Sequence, residues 1–283
     1  MERFTLHTAD KRRSYSLNTR KALAAEPKGL GNKFAVSYKE TADKKYMTNR
    51  KPDFEPIALK IYFNADGSGG DANYKNLMGF ISACGNAPFL FEYADGAGKR
   101  YCDVVLSGAP KSEISEDGLF AEDFTFDRLS YWYEEVEESF ALKSVHNGGK
   151  FPLRFPFGFA GKVFINSFAV KNDFYEAAPV VITITGRTAA NILVYVAERE
   201  SGDIVGEVSL SVNSADGVKI VINAVTKKIT VDDGETVTNG YGLTDKTKQN
   251  FLFIPPGEYT VGANISQEDS GEIDVSIKRY LLI

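Results

Sequence analysis

Histidine and cysteine, on which enzyme and metal sites often depend, are scarce in this chain. Its 283 residues include two histidines, His7 and His146. Neither lies in a recognisable catalytic motif, so we interpret both as surface residues. Two histidines are also too few to favour a histidine-based triad or a multi-histidine metal site. The two cysteines, Cys84 and Cys102, are too few for a disulfide scaffold or a zinc site, and we interpret them as buried or half-buried thiols.

Carboxylates are the remaining candidates for catalysis. A glycosidase needs two carboxyl groups that face each other about 5 to 10 Å apart, and sequence does not reveal facing pairs. The densest acidic run contains Glu134, Glu135, Glu137 and Glu138, and it most simply forms a solvated edge. The sequence therefore predicts a protein that is not an enzyme, with no catalytic residue, no bound cofactor and no metal.

A basic cluster near the N-terminus contrasts with the acidic remainder of the chain. The net charge of −5 argues against a general affinity for nucleic acid, because phosphate binding needs a concentrated positive surface. The cluster consists of Lys11, Arg12, Arg13, Arg20 and Lys21. Two interpretations stay open: an arm that contacts another subunit, a partner or the DNA path, or an exposed, solvated loop. The glycines that follow lead toward a strand, so they do not predict a phosphate-binding loop.

Residues 57–133 form one ordered series of predicted elements. Apolar residues alternate over 57–63, which is the period of a half-buried strand. Asp71 is placed to cap a helix whose apolar residues recur every three or four positions, and a glycine and a proline end it. Two β-rich runs then flank the glycine-containing loop 95–98, which predicts a hairpin. An aromatic exit, Ser130-Tyr131-Trp132-Tyr133, closes the series.

This series resembles the N-terminal domain of the distal tail proteins of long-tailed bacteriophages. The matching parts are the strand ending at Phe63, the helix before residues 88–93, the hairpin that carries Tyr101, and the aromatic exit. The family tends to have Ser-Pro-Trp-Tyr at that exit, whereas this chain has Tyr131 in place of the proline and so lacks a rigid turn residue. The resemblance implies a split-barrel or β-sandwich domain with one helix and a hairpin.

The second half of the chain is a succession of short β-rich runs. From residue 179 onward these runs are separated by turn residues, which predicts a β-sandwich. The strand at 182–186, the turn at 254–261 and the terminal strand resemble the family's galectin-like C-terminal domain. We therefore expect a mainly β protein, with an N-terminal ring-forming tail-hub domain at 1–138 and a galectin-like β-sandwich at 139–283.

A phenylalanine-rich segment joins the two predicted domains. Residues 151–164 contain five phenylalanines and two prolines, so we expect them to pack in extended form against a neighbouring surface. The segment is short and lacks an amphipathic helical period, which argues against membrane insertion. No run of 18 apolar residues and no signal-peptide core occurs, so we expect no membrane contact and synthesis in the cytoplasm of the host bacterium.

The resemblance implies a structural component at the tail tip of the virion. Six copies would form a ring that joins the tail tube protein to the tail-associated hub protein, and receptor-binding or baseplate proteins would attach to it. DNA would only pass through the channel. Such a ring requires a head-to-tail interface that closes on itself, and the predicted long loops 10–33 and 40–56 are the best candidates to form it.

The alternative function is that of an adhesin that recognises host cell-wall sugars. Lectins stack a sugar ring on an exposed aromatic residue, and the candidates in the predicted sandwich are Tyr195, Tyr241 and Tyr259, which could equally contact a partner protein. The single tryptophan, Trp132, falls outside the sandwich. We therefore favour protein docking over sugar binding for the C-terminal domain.

Overall fold

The computed structural model describes residues 2–63, 69–111, 120–141, 166–186, 188–215, 217–265 and 271–281. His146 and the phenylalanine-rich segment lie outside these residues. The chain divides into two compact units, one up to Glu134, with which Leu281 is grouped, and one from Glu135 to Tyr280. No helix in the described ranges is long and apolar enough to cross a membrane.

The first unit is a mainly antiparallel β structure with one α-helix in its described residues. Its elements are β1 (Arg3–His7), β2 (Ser14–Ser16), β3 (Ala22–Lys28), β4 (Lys33–Glu40), β5 (Lys45–Asp53), β6 (Ile57–Phe63), α1 (Gly70–Ala83), β7 (Phe89–Ala94), β8 (Lys99–Gly108), β9 (Phe120–Arg128) and β10 (Trp132–Ala141), the last of which contains the boundary between the units. The predicted strand, helix and hairpin series is confirmed.

Seven of these strands form one antiparallel ladder in the order β2, β1, β7, β8, β9, β6, β3. The two ends of the ladder meet only at one isolated bridge, between Asn18 and Leu23, and not along paired strands. The described strands therefore do not close into a complete barrel, which agrees with the predicted split-barrel or sandwich domain.

The core of the first unit follows from the alternation of apolar residues. In β6 every second side chain, from Ile57 to Phe63, is buried. Phe63 stacks on Phe120 with 4.9 Å between ring centres, and Tyr74 of α1 packs edge-on against Phe63 at 5.7 Å. The helix therefore covers an aromatic core built by β6 and β9, and burial of this apolar surface is the main stabilising term.

Two local predictions for this unit have different outcomes. Gly69 is the N-cap of α1 and no side chain caps this end, so the predicted capping role of Asp71 is wrong. Asp71 lies one residue inside the helix and pairs with Lys75 at 2.6 Å, where its charge complements the positive end of the helix dipole. The thiol prediction is confirmed, because Cys102 is buried and Cys84 is half-buried.

The second unit is a sandwich of two antiparallel sheets. Its elements are β11 (Asn166–Asn172), β12 (Ala178–Thr185), β13 (Thr188–Glu198), β14 (Ile204–Ser214), β15 (Lys219–Asn223), β16 (Lys228–Asp232), β17 (Val237–Asn239), a 3₁₀ helix (Tyr241–Leu243), β18 (Phe253–Ile254), β19 (Gly257–Ile265) and β20 (Glu272–Leu281). One sheet contains β17, β16, β15, β12 and β20, and the other has the order β11, β19, β13, β14.

The two sheets bury one shared apolar core. Alternate residues of β12, such as Val180 and Ile182, contribute from the first sheet, and Ile192 and Val194 of β13 contribute from the second. Pro255 and Pro256 turn the chain into β19, as the sequence predicts. The predicted β-sandwich and the mainly β fold class are thus confirmed.

Candidate assembly surface

The β4–β5 hairpin forms a sheet of its own, separate from the ladder of the first unit. Its strands pair from Lys33 opposite Asp53 to Glu40 opposite Lys45, with a register shift between Ser37 and Tyr38. No residue of 33–53 belongs to the described core of the first unit. The interpretation of residues 10–33 and 40–56 as long loops is therefore wrong, because β2 and β3 lie within the first range and β5 lies within the second.

One face of this hairpin is apolar, half-buried at Phe34 and Val36 and exposed toward its tip. Side chains alternate along a strand, so Phe34, Val36 and Tyr38 share a face, and cross-strand pairing brings Met47 beside Tyr38. Tyr38 is 54% exposed and Met47 is 61% exposed. We call these four residues the hairpin face. A lone two-stranded hairpin is marginally stable in water, and an exposed apolar patch marks a surface that another surface covers.

Two cations pack on the aromatic rings of the hairpin face. The guanidinium of Arg50 lies 3.8 Å from the ring centre of Phe34, and the ammonium of Lys45 lies 4.7 Å from that of Tyr38. Residues 33–53 contain six Lys or Arg against three Asp or Glu, whereas the whole chain has a net charge of −5. The hairpin is therefore a basic, aromatic element attached to an acidic protein, and an acidic surface would attract it.

The predicted basic arm is divided between two turns. Lys11, Arg12 and Arg13 lie in the β1–β2 turn, which the amide of Thr8 closes on the carbonyl of Arg13 at 2.9 Å. The ammonium of Lys11 lies 4.0 Å from the ring centre of Tyr101.

Arg12 and Arg13 are exposed, and Arg12 pairs with Asp10 at 3.6 Å. Hydrogen bonds from the Thr8 hydroxyl and the Arg12 amide hold the pKa of Asp10 below its usual value. Arg20 and Lys21 are exposed in the other turn, at the opposite end of β2. The structure thus separates the five residues, and their role as an arm stays a prediction.

The three candidate tyrosines of the second unit lie on different surfaces. Tyr195 is on the outer face of β13, with its ring directly across Gly262 of β19. Tyr259 packs against the core, and its hydroxyl donates to the carbonyl of Pro256 at 3.3 Å. Tyr241, in the 3₁₀ helix, donates its hydroxyl to the carbonyl of Lys227 at 2.9 Å. They do not form one aromatic platform, and their role as sugar or partner contacts stays a prediction.

In the described part of the chain, His7 lies in a small group of charged side chains. His7 is half-buried, and its Nε2 lies 3.1 Å from Glu92 Oε2, so its interpretation as a surface residue is wrong. Lys99 also pairs with Glu92, at 3.4 Å. Among the described residues, no group of three His, Cys, Asp or Glu is placed to hold a metal ion.

The acidic run on β10 is graded in exposure. Glu137 and Glu138 are exposed, whereas Glu134 and Glu135 are half-buried. Only the later part of the run therefore forms the solvated edge that the sequence predicts.

The comparison with protein families identifies the first unit. Residues 3–129 match the N-terminal domain of distal tail proteins. A sequence comparison with curated proteins gives no match.

The comparison with solved structures extends the similarity to both units. The chain resembles a protein in the structure of the phage P2 baseplate in its activated conformation with Sr, with a TM-score of 0.68, 17% identity and 98% of each chain covered. The corresponding structure with Ca gives a TM-score of 0.67 at 16% identity over 98% of each chain. The Dit protein of phage SPP1, described as a paradigm of the hub adsorption apparatus in phages that infect Gram-positive bacteria, gives 0.57 at 11% identity, with 98% of this chain and 99% of that chain covered.

These structural matches show the fold alone, since their identities are low. They nevertheless run through both units, including the sandwich that the family model does not reach. The first unit therefore has the N-terminal domain of distal tail proteins, and the fold of the whole chain is that of the solved phage baseplate and hub proteins.

Proposed function

We propose that the protein is the structural hub of a phage tail tip and that six copies form a closed ring. The ring joins the tail tube protein above to the tail-associated hub protein below, and receptor-binding or baseplate proteins attach to it. The protein performs no catalysis, and DNA only passes through the channel. It is made in the cytoplasm of the host bacterium and then becomes part of the virion.

The exposed hairpin face is the observation that carries this proposal. A ring of identical subunits needs a heterologous contact, in which one surface of each subunit meets a different surface of the next. The hairpin supplies the first surface, because Tyr38 and Met47 on its apolar face are exposed and neither belongs to the described core of the first unit. Its positive charge favours an acidic surface on the neighbouring copy.

The two domains have different roles in this proposal. Residues 1–138 form the ring and line its channel, and residues 139–283 face outward as a docking platform. The separate placement of Tyr195, Tyr241 and Tyr259 supports protein docking over sugar binding, because recognition of a sugar in an open groove relies on clustered aromatic and polar groups. A glycan array that shows sub-millimolar binding, lost when these tyrosines are changed to alanine, would favour the adhesin instead.

The ring is tested by measuring the oligomer that the purified protein forms. Light scattering and negative-stain images are expected to show closed rings, alone or after addition of the tail tube or hub partner. The double variant Tyr38→Ser/Met47→Ser is expected to remove the ring and to leave the circular dichroism spectrum unchanged. Tyr46→Ser is the matched control, because Tyr46 is 51% exposed but lies on the opposite face of the same hairpin.

Two outcomes would contradict the proposal. If the protein stays monomeric at high concentration with both partners present, it does not form the proposed ring. Rings that persist in the double variant, or that disappear only in Tyr46→Ser, would assign the contact to another surface.

A further inference from the structure

The hairpin leaves the first unit through two segments that lie directly against each other. We call residues 29–32 and 54–56 the hairpin root. Gly29 has a φ of +74°, and a Cβ at this position would lie 2.0 Å from the carbonyl oxygen of Pro56. The backbones of the two segments therefore approach more closely than any residue but glycine allows.

Two buried side chains from β9 and β10 bind the first segment of the root. The indole Nε1 of Trp132 donates to the carbonyl of Leu30 at 2.6 Å, and Nη1 of Arg128 donates to the carbonyl of Gly31 at 3.1 Å. Trp132 is fully buried, and Arg128 is 3% exposed. Residues 29–32 lie outside the strands, so no strand pairing holds them. The two hydrogen bonds instead fix two successive carbonyls of this irregular segment.

The second segment of the root is held by the same arginine. The guanidinium carbon of Arg128 lies 5.6 Å from the ring centre of Phe54 and 6.0 Å from that of Trp132. Tyr131 packs edge-on against Phe54 at 5.2 Å. The planar guanidinium thus contacts both segments of the root at once, through a carbonyl on one side and an aromatic ring on the other.

Arg128 is costly to bury at this position. Within the described residues its Nε has no hydrogen-bond acceptor, and burial lowers the pKa of Arg128 below its usual value. An apolar side chain of similar volume would fill the same space without this desolvation. Packing alone therefore does not explain the arginine. Its contacts with both root segments indicate that it fixes the position of one segment relative to the other.

We infer that Arg128 and Trp132 are positioning residues that fix the direction in which the β4–β5 hairpin leaves the first unit. In the ring, which rests on the proposed function, this direction decides whether the hairpin face reaches the neighbouring subunit. The aromatic exit is then an anchor for an element that begins about a hundred residues earlier in the chain. Arg128→Lys keeps the charge but not the planar fork, and Trp132→Phe keeps a ring but not the N–H donor.

The inference is tested by spin-label distances within one subunit. Labels are placed at Asn49→Cys on the hairpin and Asp123→Cys on β9, both exposed positions, in a Cys84→Ser background. Cys102 is fully buried and stays unlabelled. We expect one narrow distance distribution in the labelled protein, and a wider or shifted distribution in Arg128→Lys and in Trp132→Phe. Rings, where they form, are diluted with unlabelled protein so that only distances within a subunit are recorded.

A control separates positioning from stability. Leu77→Ala removes a fully buried side chain of α1, away from the root, and is expected to lower Tm while leaving the distribution narrow. Distributions that stay narrow in both root variants, or that widen equally in Leu77→Ala, would overturn the inference. A narrow distribution in a protein that forms no ring would contradict the proposed function and leave the inference intact.

Discussion

At the scale of single residues, the structure is most sensitive where backbone and side chain have no room to adjust. The hairpin root is such a place, because Gly29 combines a left-handed backbone with direct contact to Pro56. Gly85, which follows α1, also has a positive φ, of +65°, but nothing lies within 4 Å of its missing side chain. A side chain at either glycine would strain the backbone, whereas only a side chain at Gly29 would also clash. Comparing substitutions at the two positions therefore distinguishes the two effects.

We predict that Gly29→Ala destabilises the protein far more than Gly85→Ala. Both variants place a side chain in the left-handed region, which costs about 1 kcal/mol or more. Gly29→Ala also forces the root segments apart. Denaturant unfolding followed by circular dichroism gives the two free energies of unfolding, and equal losses would show that the contact with Pro56 is relaxed in solution.

The cysteines carry a second prediction at this scale. Burial raises the pKa of both thiols, far more strongly for Cys102 than for Cys84. The thiolate is the reactive form, so at neutral pH both are expected to react slowly, and the rate for Cys84 should rise with a midpoint above the usual thiol range. The reaction rates are measured with a thiol-reactive dye from neutral to alkaline pH, in the unchanged protein and in Cys84→Ser. Rapid reaction of Cys84→Ser in the folded state would contradict the burial of Cys102.

At the scale of elements, the β4–β5 hairpin differs from the other described strands of the first unit in its pairing, because β4 and β5 pair only with each other. The other strands of that unit lie in the ladder or, for β10, beside β8 through Tyr133 and Tyr101. The hairpin instead depends on its own cross-strand pairs, such as the Lys33–Asp53 ion pair at 3.3 Å. Exposed ion pairs of this kind stabilise little, so we expect the hairpin to gain stability when another surface covers its exposed residues.

Removal of the hairpin is therefore expected to spare the fold and abolish assembly. In the variant, residues 34–52 are replaced by a short glycine-serine linker, and the root stays intact. Because none of these residues belongs to the core, we expect Tm to change little while the ring disappears. Calorimetry and light scattering on the same sample test both parts. A large fall in Tm would mean that the hairpin supports the first unit itself.

At the scale of the whole molecule, the chain consists of two units with separate apolar cores. One core is built around Phe63, Phe124 and Trp132, and the other around Ile182, Val194 and their neighbours. A unit with its own core can fold alone. This division supports the proposal that the ring and the docking platform are distinct domains of one hub.

We predict that a fragment of residues 135–283 folds without the first unit. It begins at Glu135 because the later part of β10 belongs to the second unit, where the Ser139 hydroxyl donates to Asp274 at 2.8 Å. Circular dichroism should show a β spectrum with a cooperative thermal transition. A disordered spectrum would mean that the two units depend on one another for folding.

The sequence by itself determined the features that depend on local periodicity. Alternating apolar residues mark β6, the three- and four-residue spacing marks α1, and the glycines of 95–98 mark the β7–β8 hairpin, because each pattern reflects the geometry of one element. The same reasoning predicted a strand after the glycines at 29–31, which is β4, but it missed β5. Charged and polar residues fill most of Lys45–Asp53, so this strand has no apolar alternation.

The tertiary structure alone decided which distant residues meet. Arg128 reaches Gly31 across 97 residues and Trp132 reaches Leu30 across 102, and no local pattern contains such pairs. In the same way, the positions of β13 and β19 in their sheet put Tyr195 on the outer face and Tyr259 on the core face. Local propensity shapes each element, whereas the placement of elements depends on burying apolar surface from the whole unit at once.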